Sequence, residues 1–539
     1  MQRSVGGALL AVFVTLPTAS SADTYPRQPG IDVVHYVFRL RFTEAANEIS
    51  GDATITMKIT APNVSEAYLD LTSAASGKGM SVSKVTVANS AVKHTHEANR
   101  LRISLPPSPA GAELSVNVVY TGTPTGGLRL GENIHGERTV FSENWPDNAR
   151  HWLPMVDHPY DKATGEFVVT APAYFQVVAN GQLVEEVDLP GNERRTHWRQ
   201  SVPISSWLYA LGLARFAVHH YDVVRGIPLQ VWSFPQDRDK AYELFEFTGR
   251  RAFEYFSDWI GPFSYEKLAH VEAAGLNGAT EHASAIFYGE RSVTGGRGPV
   301  VHEVAHQWWG NSVTEKDWDD VWLSEGFATY FAHLYAEQFS GRDAFVRGLR
   351  SDIKIVLQTQ QALPDQAIIH RNISDLDNVL NRLVYQKAGW VLHMLRGYVG
   401  TDKFWTGIRD YYRRYRNSSA STDDFRQVME QASGKDLSWF FEQWLKRPGI
   451  PKLTGTWRYD ATAKAIELDI RQTHSGAPYR LPIEIGIMAA PGGQLRVEPV
   501  ELTSAQGHFT IAAAAEPQSV VLDPNTWLLV ESADFVRQQ

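Results

Sequence analysis

The string His302-Glu303-Val304-Ala305-His306, followed by Glu325 after eighteen intervening residues, holds the side chains best placed to do chemistry in this chain. On a helix, positions i and i+4 share a face, so His302 and His306 can grip one cation between them. Two imidazoles and a carboxylate form a donor set for Zn²⁺ and leave a fourth coordination position for water. Glu303 follows the first histidine and can act as general base toward that water. A lone pentapeptide of this kind arises by chance in a chain with 18 histidines; a carboxylate at one fixed later position makes the coincidence far rarer. The residues read as a zinc hydrolase, with one Zn²⁺ per chain on His302, His306 and Glu325.

Two helices must bring these groups together. Pro299 sits just ahead of the motif, where proline is tolerated at a helix start, and Gly295, Gly296 and Gly298 make the loop that leads in. Gly310-Asn311 is expected to end the motif helix, as Gly or Asn does after a C-cap. A second helical pattern covers residues 321–332 and carries Glu325 in its first turn.

The 539 residues are too many for one ordinary core, and 43% hydrophobic with 21% charged residues describes a globular chain of about three domains. The net charge of -9 argues against nucleic acid or an anionic membrane as partner. The one dense basic run, residues 409–416, has Phe404, Ile408, Tyr411 and Tyr415 at helical spacing, which reads as a solvated basic helix face. Residues 1–22 read as a secretory signal peptide, with Arg3, an apolar stretch from Val5 to Leu16, and a Ser20-Ser21-Ala22 cleavage site. No later stretch is long and apolar enough to span a membrane, and there is no cysteine, which suits a bacterial periplasm or secretion into the medium.

Period-two alternation begins at Asp32: Tyr36, Phe38, Leu40 and Phe42 point one way, and Ala53, Ile55, Met57 and Ile59 repeat the pattern. Residues 23–225 are expected to form an N-terminal β-domain. The period turns helical near Pro235-Gln236-Asp237, giving a mainly helical domain over 226–448. The breaker cluster Pro448-Gly449-Ile450-Pro451 then opens a small C-terminal β-domain over 449–539.

With these residues in view, the chain resembles the aminopeptidase N-like gluzincins, the zinc metallopeptidase family that includes leukotriene hydrolase. The resemblance runs through residues 301–311, through Trp322-Leu323-Ser324-Glu325-Gly326-Phe327-Ala328, through Tyr385-Gln386-Lys387-Ala388-Gly389, and on to Trp444-Leu445. It implies an α+β multidomain fold: a β-saddle, a thermolysin-like catalytic domain and a small β-sandwich. It also implies a free peptide N-terminus as substrate, with the amino group anchored by a glutamate in a Gly-x-Met-Glu-Asn segment. The matching stretch here is Gly278-Ala279-Thr280-Glu281-His282, with Thr280 for Met and His282 for Asn. Glu281 is the implied amine anchor, with Gly278 and Ala279 lining the same subsite. Tyr385 falls where the family places an oxyanion donor, and Glu143 falls near a family glutamine at the amine site.

The expected activity is removal of single N-terminal residues from peptides by a monomer. The alternatives are a zinc hydrolase without amine capture, such as an endopeptidase or epoxide hydrolase, and a non-catalytic scaffold of the same fold.

Overall fold

The computed structural model describes residues 23–538 apart from 45–46, 370–375, 491 and 532, so the expected signal peptide lies outside the described residues. The alternating pattern at the start builds a half-buried sheet. Ile31–Arg41 pairs antiparallel with Ile49–Ile59 and parallel with Lys162–Pro172 inside an eight-stranded sheet. Tyr36, Phe38 and Leu40 are buried on one face, while Arg39 and Arg41 stand exposed on the other.

Besides a three-stranded sheet of Glu66–Asp70, Arg100–Ser104 and His94–Glu97, a four-stranded sheet belongs to the first domain, in the order Gln176–Ala179, Leu211–Ala214, Arg138–Ser142, Leu128–Glu132. Its last two strands form a hairpin whose tip reaches the second domain. There the Ile134 N–H donates to Glu290 Oε1 at 2.7 Å, and His135 Nε2 lies 2.6 Å from Asp237 Oδ2.

The second domain opens on a five-stranded sheet, ordered Ala217–Val224, Ile227–Ser233, Leu268–Ala273, Ala285–Gly289, Ala279–Thr280. The boundary expected between 225 and 226 therefore cuts a hairpin. Ala217 pairs with Ser233 and Val224 with Ile227, so the second domain's sheet starts at Ala217. Helices follow, principally Arg238–Trp259, Val300–His306, Trp322–Ser340, Arg342–Ala362, Ala388–Val399 and Thr401–Tyr415. Trp308, Trp309, Trp322 and Trp390 are fully buried among the helices, and Trp318 is fully buried against Trp145 of the first domain. The basic run lies on Thr401–Tyr415 with Phe404, Ile408 and Tyr411 buried and Arg409, Arg413 and Arg414 exposed, as a solvated helix face requires. Beyond Pro451 two sheets of four and three strands form the C-terminal unit.

A strap of chain ties the first two domains. The Asp23 carboxylate is buried and accepts from the Tyr25 N–H and the Trp318 N–H, with His158 Nε2 at 2.8 Å. Arg27 bridges Asp23 to Asp317, and Tyr25 stacks on His158 with centroids 4.5 Å apart. Burial would raise the Asp23 pKa, but His158 and Arg27 outweigh it and bring it down to about 2. Trp318 lies just ahead of the helix that carries Glu325, so the strap braces the site from the N-terminal side. His158→Ala should lower the unfolding free energy by about 1–2 kcal/mol, because it removes a stacked ring and one of the hydrogen-bond partners of the buried Asp23 carboxylate, which keeps Arg27 and two backbone N–H groups. Denaturant melts compare the variants, and an unshifted midpoint would show that the strap contributes nothing to stability.

Candidate active site

The motif helix Val300–His306 packs between Arg238–Trp259 and Trp322–Ser340. His302 and His306 leave one face of it, with their Nε2 atoms 3.0 Å apart. Glu325 Oε2, from the first turn of the neighbouring helix, stands 3.3 Å from each. Tetrahedral Zn²⁺ with bonds of about 2.0–2.1 Å would set its ligand atoms about 3.4 Å apart, close to this triangle. Glu325 Oε2 is buried without a hydrogen-bond partner among the described residues. A buried acceptor in that state is costly unless a cation takes it. The donor set fits the metal.

Two of the three ligands are tied down on their far side. His306 Nδ1 lies 3.1 Å from Trp309 O and 3.1 Å from Ser324 Oγ. An N–H on Nδ1 donating to that carbonyl leaves the Nε2 lone pair aimed into the cluster. The Tyr385 hydroxyl donates to Glu325 Oε1 at 2.7 Å, and Tyr385 itself sits on a π-helical turn, Leu383–Lys387. Such turns recur where a side chain must be re-aimed within a helix.

The motif helix ends at His306, four residues before the expected Gly310. Gln307 to Trp309 form a tight turn in which the Trp308 and Trp309 N–H groups both donate to Ala305 O. Gly310, at φ +96°, then reverses the chain, and a Cβ there would fall 2.0 Å from Ser324 Oγ. Only glycine lets Ser324 reach His306. Gly326 does the same for the second helix, since a Cβ would lie 2.5 Å from Ala388 Cβ and push Glu325 away from Tyr385.

Electrostatics mark the cluster as a cation's place. Burial opposes charge on His306, yet Glu281 and Glu325 outweigh it and raise its pKa to about 10. Burial would raise Glu325, but the two imidazoles hold its carboxyl below the usual carboxylate range. Glu303 is 5% exposed, and burial followed by the nearby Glu281 pushes its carboxyl well above the ordinary value. A carboxylate so placed is a stronger base than one in water.

Beside this centre lies a second acidic site. Glu281 Oε1 is 3.9 Å from His306 Nδ1, and Glu281, Glu303 and His306 offer atoms within 4.8 Å of one another. Gly278, at φ +91°, turns the chain into the edge strand Ala279–Thr280, which delivers Glu281. Thr280 Oγ1 donates to Glu143 Oε2 at 3.3 Å, joining the first domain to this site. Burial, partly opposed by Arg129 and reinforced by Glu281, raises the Glu143 pKa to about 7.

All the side chains nominated from sequence converge, with Gly278 and Ala279 contributing the backbone that leads in. Residues the motif reading left without a role hold them there. Gln307 Nε2 donates to Glu281 O at 3.0 Å and His282 O at 3.3 Å, and Asn311 Nδ2 donates to Glu281 O at 2.5 Å. Their signal is a side-chain amide directly after the second histidine and another five residues after it. His282 is fully buried and packs on Phe287 at 4.9 Å, with burial drawing its pKa down to about 4; it is a packing residue.

Comparison with known proteins agrees with this geometry. Residues 33–208 match the Peptidase M1 N-terminal domain, and residues 249–444 match the Peptidase family M1 domain. The chain belongs to peptidase family M1. It is 28% identical to bovine glutamyl aminopeptidase over 374 residues, covering 64% of this chain and 38% of that one. It is 27% identical to aminopeptidase N of Streptomyces lividans over 441 residues, covering 77% of this chain and 50% of that protein. The chain thus spans half or less of the length of these curated relatives. An M1 zinc metallopeptidase from Deinococcus radiodurans superposes with TM-score 0.67 at 25% identity, covering 78% of this chain and 95% of that one. Family membership and the donor triangle together make Zn²⁺ the metal of this site.

His306→Ala should leave less than a tenth of the bound zinc after dialysis, since it removes one of three protein ligands. Metal analysis of the purified variant and parent checks this. Full zinc occupancy in the variant would remove His306 from the ligand set.

Proposed function

We propose that this chain is a zinc-dependent aminopeptidase that releases single residues from the free N-terminus of peptides. The observation that carries this reading is the buried Glu281 carboxylate beside the His302, His306 and Glu325 cluster, with the half-buried Glu143 joined to its neighbour Thr280. An ammonium group placed there meets two acidic acceptors in a nearly dry pocket, and a peptide held by its ammonium offers its first peptide bond to the centre. The aminopeptidases among its relatives support the same reading.

His302, His306 and Glu325 would hold Zn²⁺, which supplies Lewis acidity and a more acidic water when bound. Glu303 takes the proton of the attacking water and hands it to the leaving amine. Its buried position and raised pKa suit both transfers. Tyr385, whose hydroxyl already borders the cluster, donates to the carbonyl oxygen as negative charge develops there. Glu281 and Glu143 fix the register, with Gln307 and Asn311 holding the Glu281 backbone.

Export to a periplasm or the medium is the companion proposal, supported by the leader-like composition of residues 1–22. Among the described residues no helix is long and apolar enough to cross a membrane.

Glu303→Gln should retain zinc and fold but lose roughly 10²- to 10⁴-fold in kcat, because an amide cannot accept the proton. Steady-state rates on an alanyl anilide, with zinc measured alongside, decide it; near-parent turnover would exclude Glu303 as the base.

Glu281→Ala should cut kcat/KM for free peptides at least tenfold with zinc retained, since losing one partner of a buried charge pair costs about 2–5 kcal/mol. The parent enzyme should also refuse the same peptides once they are N-acetylated. Similar cleavage of acetylated and free peptides would replace the aminopeptidase reading with an endopeptidase.

A further inference from the structure

Arg129 stands at the mouth of the acidic subsite and takes no part in the machinery described above. It lies on the edge strand Leu128–Glu132 and is register-paired with Phe141, so the two side chains share one face of the sheet. Phe141 packs edge-on against Phe287 with centroids 5.6 Å apart, and Phe287 pairs in register with Thr280. That face therefore looks onto the strand that delivers Glu281. Arg129 Cδ comes within 3.6 Å of the point a Cβ on Gly275 would occupy, so the side chain reaches the turn leading into Gly278. Arg129 is also the principal attractive charge felt by Glu143.

The guanidinium is nevertheless exposed and forms no hydrogen bond or ion pair among the described residues. Its planar fork of donors, which matches a carboxylate in shape, is open to a ligand. The hairpin carrying it is pinned to the second domain at Ile134, at His135 and through Glu143 to Thr280. Arg129 is thus presented from a fixed wall. Thr280, where the resembled family has methionine, keeps this part of the wall polar.

We propose that Arg129 is a specificity-determining residue that selects peptides whose first side chain is a carboxylate, aspartate or glutamate, over neutral and basic ones. The inference rests on the aminopeptidase reading. With the ammonium held by Glu281 and Glu143, the side chain on the same Cα lies within reach of the guanidinium. An acidic side chain gains a forked pair of charge-assisted hydrogen bonds. A neutral one of the same shape gains no such pair, and a basic one is repelled.

The test compares glutamyl, glutaminyl and lysyl p-nitroanilides on the zinc-loaded full chain, because glutamate and glutamine differ in charge at nearly constant shape. The parent enzyme should favour glutamyl over glutaminyl at least tenfold in kcat/KM, through KM, and should turn over lysyl most slowly. Arg129→Gln should bring the glutamyl to glutaminyl ratio near one, while Arg129→Lys retains a preference for glutamyl that fades with added salt. A ratio unchanged in Arg129→Gln, or a parent that prefers lysyl or glutaminyl substrate, would overturn the assignment. Hydrolysis of glutaminyl substrate without glutamyl preference defeats only this inference. Refusal of every free aminoacyl anilide, or equal cleavage of acetylated peptides, defeats the aminopeptidase reading beneath it as well.

Discussion

Three acceptor atoms held 3.0 to 3.3 Å apart in a buried place form an arrangement that repels itself unless a cation sits among them. The surrounding fold is what makes that arrangement tolerable. One helix supplies the i, i+4 histidines, a second supplies Glu325, and both are packed by fully buried tryptophans that leave the side chains little freedom. Gly310 and Gly326 allow the close approaches on which the triangle depends, one for Ser324 to His306 and one for Glu325 to Tyr385. The metal's binding free energy then stabilises the fold that prepares its site.

The N-terminal domain does more than shield this centre. Its hairpin contributes Glu143 and Arg129, its strap braces the segment ahead of the Glu325 helix, and Lys162 donates to the Asn311 and Ser312 carbonyls beneath the site. The acidic end of the site is therefore an interdomain surface, while the metal end belongs to one domain. Changes in first-residue preference can accumulate on the hairpin without disturbing the donor triangle, because the two are carried by separate elements.

What was legible in the sequence followed the range of the interaction. His302, Glu303 and His306 are a local pattern, and Glu325 falls one helix later, so spacing alone placed them. The first strands were legible because one face is buried and period two records it. The hairpin between residues 217 and 233 is not legible because Arg225-Gly226, with φ +55° and +82°, is a turn, and turns share their composition with linkers. The early end of the motif helix was hidden because the Gln307 to Trp309 turn is stabilised by tryptophan burial and not by a cap residue at the turn. Gln307, Asn311 and Ser324 act on backbone or ring atoms brought near by folding, and Thr280 meets Glu143 across 137 residues. No pattern in one segment can announce a partner so far away.

The charge balance of the whole site connects metal, base and substrate. Glu281, Glu303 and Glu325 crowd about His306, and Glu143 lies within the field of Glu281; burial and neighbouring acids raise the carboxyls of Glu281, Glu303 and Glu143. Zn²⁺ held by His302, His306 and Glu325 would offset the charge at the histidine end, and Glu143 is not one of those ligands. The acids at the far end are offset in part by Arg129 and His306; under the proposed function an arriving ammonium would add to that compensation, so a free amino terminus would complete the electrostatics of the site as well as being recognised by it. A blocked terminus would have to desolvate two carboxylates and give nothing in return. Under the proposed function, exopeptidase behaviour would follow from that imbalance.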